Sequence, residues 1–298
     1  MSLYRLIVFL TVVQYGSFNK AAKALHLSQP SISKQIKELE DTYKVRLFDR
    51  VGGHLSLTHA GDLMIGHAKR IVEDFQSLSF EMNQLSGNFT GTLHLGASTT
   101  ISQYVIAPLL SHYIKAFPEV KLDLISGNTL DIEQKLKDRQ IDIALVEGNE
   151  NDVASHYEHF LDDEIVLITR PDSVFGNNDE ISLSKLTALP LVMREFGSGS
   201  LSVIEKALSE KHLKLTDLRI ILQLGSTESI KDFLSESDAL AMVSIRSVMK
   251  ELKAGTLKII DIENLEILRA FRFATLLGEH HPIAEHFIEF AKTHFQKL

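Results

Sequence analysis

The chain has 298 residues, 44% apolar and 23% charged, and contains no cysteine. At roughly 100–200 residues per domain this is material for about two globular units. Zero cysteines exclude a disulfide scaffold, thiolate metal sites and cysteine nucleophiles. The net charge of −8 hides an asymmetry: residues 1–70 carry ten Lys/Arg against five Asp/Glu, or +5, and the remainder carries 21 against 34, or −13. A basic head on an acidic body fits a nucleic-acid-binding segment, although a solvated surface has the same composition. The start, Met1–Phe18, lacks the basic cluster and small-residue cleavage site of a signal peptide. No apolar run reaches the ~18 residues of a membrane span. The expectation is a soluble, cytoplasmic protein with no membrane partner.

Residues 1–57 show short helical patterns with tight turns. Leu3, Leu6, Ile7, Leu10 and Val13 recur at helical spacing. Gly16-Ser17 breaks that helix, and Ser17 can cap a second from Phe18 to His26. Ser28 can cap a third, with Pro30 tolerated in its first turn and Ile32, Ile36 and Leu39 as its apolar stripe. Ser31, Ser33, Lys34, Gln35, Lys37 and Glu38 fall off that stripe. Val45–Phe48 and Leu55–Leu57 can pair as a hairpin wing around Gly52-Gly53, with Arg50 at its base.

From Thr58 to about Gly87 no proline intervenes. Met64, Ala68, Ile71, Phe75, Leu78, Met82 and Leu85 form an a/d heptad seam on a helix about 45 Å long. Strict 3.5-residue periodicity favours a coiled-coil partner, the alternative being an amphipathic helix lying on its own domain. Residues 91–298 then alternate strand-like runs with helices. The strand candidates are Thr92–Ala97, Lys121–Ser126, Ile141–Val146, Ile165–Thr169, Leu189–Met193, Arg219–Leu224, Ala239–Val243 and Arg272–Leu276. This is the rhythm of an α/β region with largely parallel sheets.

Two short helices joined at His26-Leu27-Ser28, followed by a Ser/Gln/Lys-rich third, suit a helix-turn-helix. The N-terminal residues of its second motif helix would enter the major groove of double-stranded DNA. Gln29 can address adenine edges, and Ser33 and Lys34 can reach phosphates or base acceptors. A small helical cap with exposed polar residues is the plain alternative.

The run Gly16-Ser-Phe-Asn-Lys-Ala-Ala-Lys-Ala-Leu-His-Leu-Ser-Gln-Pro-Ser-Ile-Ser-Lys-Gln-Ile-Lys-Glu-Leu-Glu40, continued by Leu47-Phe-Asp-Arg50 and Leu57-Thr-His-Ala-Gly61, resembles the LysR-type transcriptional regulators over some thirty positions in register. The resemblance extends over the whole chain. It implies a winged helix-turn-helix (residues 1–57), a dimerising linker helix (58–88) and an effector-binding domain (89–298) similar to the two-subdomain, type 2 periplasmic-binding-protein fold. Subdomain I would hold residues 91–161 and 268–298, and subdomain II 162–267, with hinges near Asp162-Asp163 and Leu268-Arg269. Gln29, Pro30, Ser31, Ser33 and Lys34 would lie at DNA, with Lys37 on the same polar face and Arg50 near the wing and minor groove. The family usually has arginine where this chain has Lys34, so a bidentate guanine contact becomes a point-charge contact. Its wing tip usually carries Arg or Lys, and this chain reads Gly52-Gly53-His54. The resemblance also implies self-association into a dimer, often a tetramer; from that architecture, an effector that shifts the closure of the subdomains would change the geometry on DNA and with it the recruitment of RNA polymerase.

In the third stretch four strands end in turns that open helices: Ser98-Thr99-Thr100, Asn128-Thr129, Gly197-Ser198-Gly199-Ser200 and Ser226-Thr227. Helix starts with hydroxyls suit a carboxylate, sulfate or phosphate, and the same residues also serve as plain N-caps. By resemblance Ser98–Thr100 matches the first-helix ligand loop, Arg194–Ser200 is similar to a segment of members that sense small metabolites, and Gly225–Ser229 matches a further segment of the family. With Thr129, Thr227 and Glu147-Gly148 these line a cleft for a small anionic effector. Where the family commonly has Gly-Leu-Gly, this chain reads Ser237-Asp-Ala-Leu240, which adds the carboxylate of Asp238.

The rival reading is a cytoplasmic small-molecule-binding protein or an enzyme on the same fold. Glu279-His280-His281 with Glu285-His286 does not match His-Glu-x-x-His, and a solvated turn and helix face explains it. No nucleophile–base constellation, phosphate loop or dinucleotide fingerprint is present in the sequence. The expectation is a regulator, not an enzyme, with no metal and no cofactor.

Overall fold

Capping residues delimit the first helices of the computed structural model, which describes residues 2–51, 54–85, 89–148 and 153–295. Helix α1 (Leu3–Tyr15) ends at Gly16, whose φ of 57° is the left-handed conformation that closes a helix. The Ser17 hydroxyl accepts from the Lys20 N–H and starts α2 (Phe18–Ala24). The Ser28 hydroxyl accepts from the Ser31 N–H and starts α3 (Gln29–Tyr43), with Pro30 in the first turn. Helix α2 stops at Ala24, short of the expected His26, which itself takes a φ of 54°.

The buried stripe of α3 is Ile32, Ile36 and Leu39, as its spacing predicts. On α1 the spacing misleads. The buried set is Leu6, Val8, Phe9 and Val12, with Leu10 and Val13 only partly covered. This helix is apolar nearly all round, so the face is chosen by packing. Phe9 meets Phe48 at 5.5 Å between ring centroids, and Phe18 meets the same ring at 5.6 Å.

The wing is β1 (Phe48–Val51) paired antiparallel with β2 (His54–Leu57). Val45–Leu47 does not join it, because the Glu40 carboxylate accepts from the Leu47 N–H at 2.7 Å and the Glu40 carbonyl from the Val45 N–H. Arg50 pairs with Leu55, one step from the turn, and so is not at the hairpin base as expected. Gly52 and Gly53, the expected wing tip, lie outside the described residues.

Helix α4 (His59–Leu85) is capped by Thr58, whose hydroxyl accepts from the Gly61 N–H at 3.1 Å. Residues 1–88 form one unit and 89–298 a second.

The second unit runs β3 (Gly91–Ser98), α5 (Thr99–Tyr104), α6 (Ile106–Ala116), β4 (Val120–Gly127), α7 (Thr129–Lys137), β5 (Ile143–Glu147) and β6 (Ser155–Thr169). It continues through β7 (Glu180–Ile181), α8 (Leu183–Leu186), β8 (Leu191–Arg194), α9 (Gly199–Glu210), β9 (Ile220–Leu224), α10 (Thr227–Ser235) and β10 (Leu240–Ser244). It closes with α11 (Ile245–Ala254), β11 (Lys258–Ile262), β12 (Ile267–Leu276) and α12 (Pro282–Phe295).

The strand order is β4-β3-β5-β12-β6-β10-β8-β9, with β11 beside β6 and β7 beside β11. Strands β4, β3 and β5 are mutually parallel, as are β10, β8 and β9. The strands between these two groups are antiparallel, so the sheet is mixed where a largely parallel one was expected. Strands β6 and β12 are long and pair with each other from Ser155↔Leu276 to Ile165↔Ile267, joining the two halves. Each half has its own core, one around Ile132, Leu136 and Ala144, the other around Leu191, Ile204, Leu240 and Ile230. Strands β7 and β11 and the first ten residues of β6 escape the sequence patterns. Ser155–Glu164 is mostly polar and lacks strict alternation.

Helix α12 is held to α6 by an aromatic nest in which His286 lies 4.6 Å from Phe117 and 4.8 Å from Phe89, with the Tyr113 hydroxyl 2.9 Å from His286 Nδ1.

Two stability outcomes follow from these contacts. A Cβ on Gly61 would sit 2.3 Å from the Leu47 carbonyl oxygen, whereas one on Gly66 would meet nothing within 4 Å. Gly61→Ala should therefore destabilise by about 1–3 kcal/mol through overpacking. Gly66→Ala, on an exposed helix position, should stabilise by roughly 0.5–1 kcal/mol; denaturant unfolding of both variants measures the difference. Burial lowers the pKa of His286. The unfolded chain then binds a proton that the folded one refuses, so this contribution to stability is complete above the ordinary histidine pKa and declines as pH falls below it. His286→Phe should flatten that acid limb in melts taken between pH 7 and pH 5.

Candidate functional site

In the first unit, α3 presents a polar face built by its own spacing. Lys34, Lys37 and Pro30 are exposed, while Gln29, Ser31 and Ser33 are half-buried. The Gln29 amide donates to Ser33 Oγ at 2.8 Å, so these two residues are already aligned with each other. Lys34 reaches Glu38 Oε1 at 3.9 Å with its side chain 74% exposed. An exposed pair of this kind is weak, and the ammonium can exchange partners with a phosphate. Glu38 is itself hydrogen-bonded by Arg5, which ties α1 to α3. The side chain of Arg50 lies outside the described residues, so only its place on β1 is stated.

The heptad residues divide into two groups. Ala68 is wholly buried in the core of its own unit and Met64 packs against that core, so these two face inward and not toward a partner. Ala68 is thereby removed from the expected seam, its small side chain being part of the winged-helix core. Ile71, Phe75, Leu78, Met82 and Leu85 remain exposed, from 38% at Ile71 to 83% at Leu85.

In the second unit, three of the four expected turns are N-caps in geometry. Ser98, Asn128 and Ser226 accept from the N–H of Ile101, Asp131 and Ser229 respectively. Ser198 makes no such bond, and its hydroxyl is buried without a partner.

Two of these turns, Ser98–Thr100 and Gly197–Ser200, converge on the carboxylate of Glu147, the last residue of β5. Its carboxylate accepts from the hydroxyls of Ser98, Thr100 (3.0 Å) and Ser200 (3.4 Å), and Arg269 Nη1 stands 3.5 Å away. Arg269 Nη1 also donates to Ser200 Oγ at 2.8 Å. Its Nε donates to Asp163 Oδ2 at 2.7 Å, and Asp163 Oδ1 accepts from the Ser244 hydroxyl. The Glu147, Arg269 and Asp163 side chains are no more than 2% exposed. Arg269 and Asp163 are direct partners on β12 and β6, where these strands join the halves. Arg246 approaches Asp163 at 3.8 Å and donates to the Asp162 carbonyl.

The two halves also meet at backbone level. The Leu130 N–H donates to the Gly197 carbonyl at 3.1 Å. A Cβ on Gly199 would fall 2.2 Å from the Glu147 carbonyl oxygen, so glycine alone permits this approach. Gly148, at φ 116°, lies beside it. Thr129 Oγ1 donates to the Glu147 carbonyl at 3.3 Å. A cavity of about 280 Å³ opens here, lined by Thr129, Gly148, Ser198 and Gly199 with Glu133 and Glu205 among its walls.

At another contact of the halves the Tyr104 hydroxyl donates to Glu228 at 2.6 Å, and Lys231 bridges Glu228 and Glu251 at 2.8 Å each. Burial pushes up the pKa of Tyr104, and the Glu228 bond adds to the shift. Burial opposes ionisation of Glu228, but bonds from Lys231 and Tyr104 outweigh it and hold the carboxyl below its usual range.

The structure thus brings together Ser98, Thr100, Glu147 and Ser200, with Thr129, Gly148, Ser198 and Gly199 around the adjoining cavity. Thr99 instead donates to the Gly127 carbonyl. Arg194 is buried but bound along one edge by Glu195, at 2.9 and 3.1 Å, and donates to the Gly225 carbonyl; its Nη1 has no partner. Thr227 is buried on the first turn of α10. Asp238 pairs with Arg170 at 3.3 Å. Sequence reasoning named Asp163 and Arg269 only as hinge positions and missed Ser244 and Arg246. The 106-residue separation of Arg269 from Asp163 hides their pairing. His280, His281 and His286 address Glu285, Asp142 and Tyr113 respectively, and His286 sits in an aromatic nest instead of on a solvated face. Among the described residues no group of three His, Asp or Glu gathers to hold a metal, and no helix is long and apolar enough to cross a membrane.

Comparison with known proteins agrees with this architecture. Residues 3–62 match the bacterial regulatory helix-turn-helix of the lysR family, and residues 86–296 match the LysR substrate binding domain. The HTH-type transcriptional regulator CysL of Bacillus subtilis is 30% identical over 289 residues, 97% of this chain and 96% of CysL. The regulatory domain of CcmR from Synechocystis, solved in complex with 2-PG, is 26% identical with a TM-score of 0.62, covering 68% of this chain and 97% of CcmR's. Full-length OxyR from Pseudomonas aeruginosa shares the fold, with a TM-score of 0.73 at 20% identity over 98% of this chain and 94% of its own. The winged helix-turn-helix, the long α4 and the two-half effector unit are those of the LysR-type transcriptional regulators, and this chain belongs to that family.

Proposed function

We propose that the chain reads promoter DNA as a dimer and that a small oxyanion effector, bound between the halves of the effector unit, sets the geometry of that complex. The observation that carries the reading is the convergence of hydroxyls from both halves, Ser98 and Thr100 on one side and Ser200 on the other, on one carboxylate position beside Arg269. A ligand that fits one arrangement of the halves better than another shifts their equilibrium. The halves joined by β6 and β12 correspond to residues 91–161 with 268–298, and 162–267. The CcmR regulatory domain, solved in complex with 2-PG, supports a small-molecule ligand in this unit. Glu133 and Glu205 in the cavity wall disfavour highly charged ligands by repulsion.

Dimerisation uses the exposed row Ile71, Phe75, Leu78, Met82 and Leu85, which a second α4 would cover at heptad spacing. A tetramer and contact with RNA polymerase belong to the same reading, as does action in the cytoplasm, where the promoter lies. The curated relatives are transcriptional regulators, which supports a role without catalysis.

At DNA, Gln29, Pro30, Ser31 and Ser33 meet the major groove, and Lys34 and Lys37 meet phosphates or base acceptors. Ser33→Ala with Lys34→Ala should abolish retention of the promoter of the chain's own gene in a gel-shift assay. Lys37→Ala alone should weaken retention and lower the salt slope of binding by about one for each phosphate it no longer neutralises. Unchanged retention in the double variant sinks the DNA assignment. In the effector unit, Gly199→Ala must move the halves apart to clear the Glu147 carbonyl. It should preserve DNA retention but remove any anion-dependent change in the DNase footprint.

A further inference from the structure

We infer that the crevice is an oxyanion site which the chain fills with its own Glu147 side chain, and that an anionic effector binds by displacing that carboxylate. This rests on the reading of the crevice as the effector site, and it names the effector's head group.

The donors around Glu147 are what a free carboxylate would require. A carboxylate offers two oxygens and about four lone-pair sites. Here one oxygen takes Ser98, the other takes Thr100 and Ser200, and a guanidinium stands beside the latter. The donors come from both halves of the unit, so the side chain bridges them as a bound ligand would.

Two buried donors are left over. Arg269 Nη2 and Ser198 Oγ have no partner, in residues only 8% and 3% exposed. An unsatisfied buried donor is costly. An anion with further acceptors could satisfy what a single tethered carboxylate leaves unmade.

Glu147 also has somewhere to go. It lines the adjoining cavity of about 280 Å³, where repulsion from Glu133 and Glu205 in the walls holds the carboxylate on the hydroxyls until an anion takes its place. A swing of the side chain into that space frees Ser98, Thr100, Ser200 and Arg269 for an incoming oxyanion. It also removes the carboxylate that opposes Arg269, on the strand pair joining the halves.

The test is chemical rescue in the full-length protein. Glu147→Ala should melt below the wild type. Acetate or sulfate should restore its melting temperature saturably, at a half-point roughly tenfold or more below that of any shift in the wild type, where a tethered competitor must be displaced. Chloride at matched ionic strength should not. Parallel shifts in both proteins, equal rescue by chloride, or no rescue overturns the inference. Should the variant fail to fold in chloride, its refolding yield from denaturant in acetate, sulfate and chloride makes the same comparison; recovery confined to the oxyanions supports the inference, and failure in all three overturns it. Rescue without any anion effect on the DNase footprint would keep the oxyanion site and remove its regulatory role. Anion-dependent footprints without rescue would keep the regulatory reading and move the binding site elsewhere.

Discussion

The effector unit depends on one buried charge chain, Glu147–Arg269–Asp163, laid across the two strands that hold its halves together. Charges taken out of water are tolerated only when paired and hydrogen-bonded. Every member of this chain has a partner from a distant part of the sequence: Glu147 from β5, Ser200 from α9, Asp163 from β6 and Ser244 from β10. The arrangement of the halves is therefore tied to the state of one carboxylate. A buried ion pair adds little net stability over an apolar isostere, but removing one member leaves the others unpaired and typically costs about 3–5 kcal/mol. That asymmetry ties the Glu147 carboxylate energetically to the Arg269–Asp163 pair at the strand crossing.

The glycines around the chain serve the same end. Gly199 admits the Glu147 backbone at a distance no side chain would allow, and Gly148 turns the chain as it leaves β5. The Tyr104–Glu228–Lys231 cluster fastens the halves at a second contact, again with partly buried polar groups in place of apolar packing. Polar contacts can be exchanged for contacts with a ligand without exposing hydrophobic surface. In the DNA-reading unit the logic is inverted. An apolar core of Leu6, Phe9, Ile32, Ile36, Leu39 and Leu47 seats α3, and the polar residues of α3 lie off that core.

Much of this is legible in the amino-acid sequence. The caps at Ser17 and Ser28, the stripe of α3, the long α4 and the alternation of strands and helices follow from rules that act over a few residues. The hydroxyl-bearing turns at Ser98, Asn128 and Ser226 are legible as helix caps in the same way. The misreadings have two causes. The inward face of α1, the inward turn of Ala68 and the nest around His286 are decided by contacts between segments far apart in the chain, and the start of β1 by side-chain and carbonyl bonds from Glu40 that hydrophobic periodicity does not register. Periodicity reports that a helix is amphipathic, but on a helix apolar nearly all round it cannot say which side faces in.

By itself the sequence determined a basic winged-helix head, a stalk with a heptad row and an acidic α/β body, because charge, capping and hydrophobic period are local properties. It also indicated hydroxyl-bearing turns suited to an anion. Only the tertiary structure decided that two of these turns converge on a carboxylate of the chain's own, and that Arg269 links that carboxylate to Asp163. Those pairings join residues 47 to 122 positions apart. They exist only where the strands cross, because close approach of buried charges is a property of the folded chain.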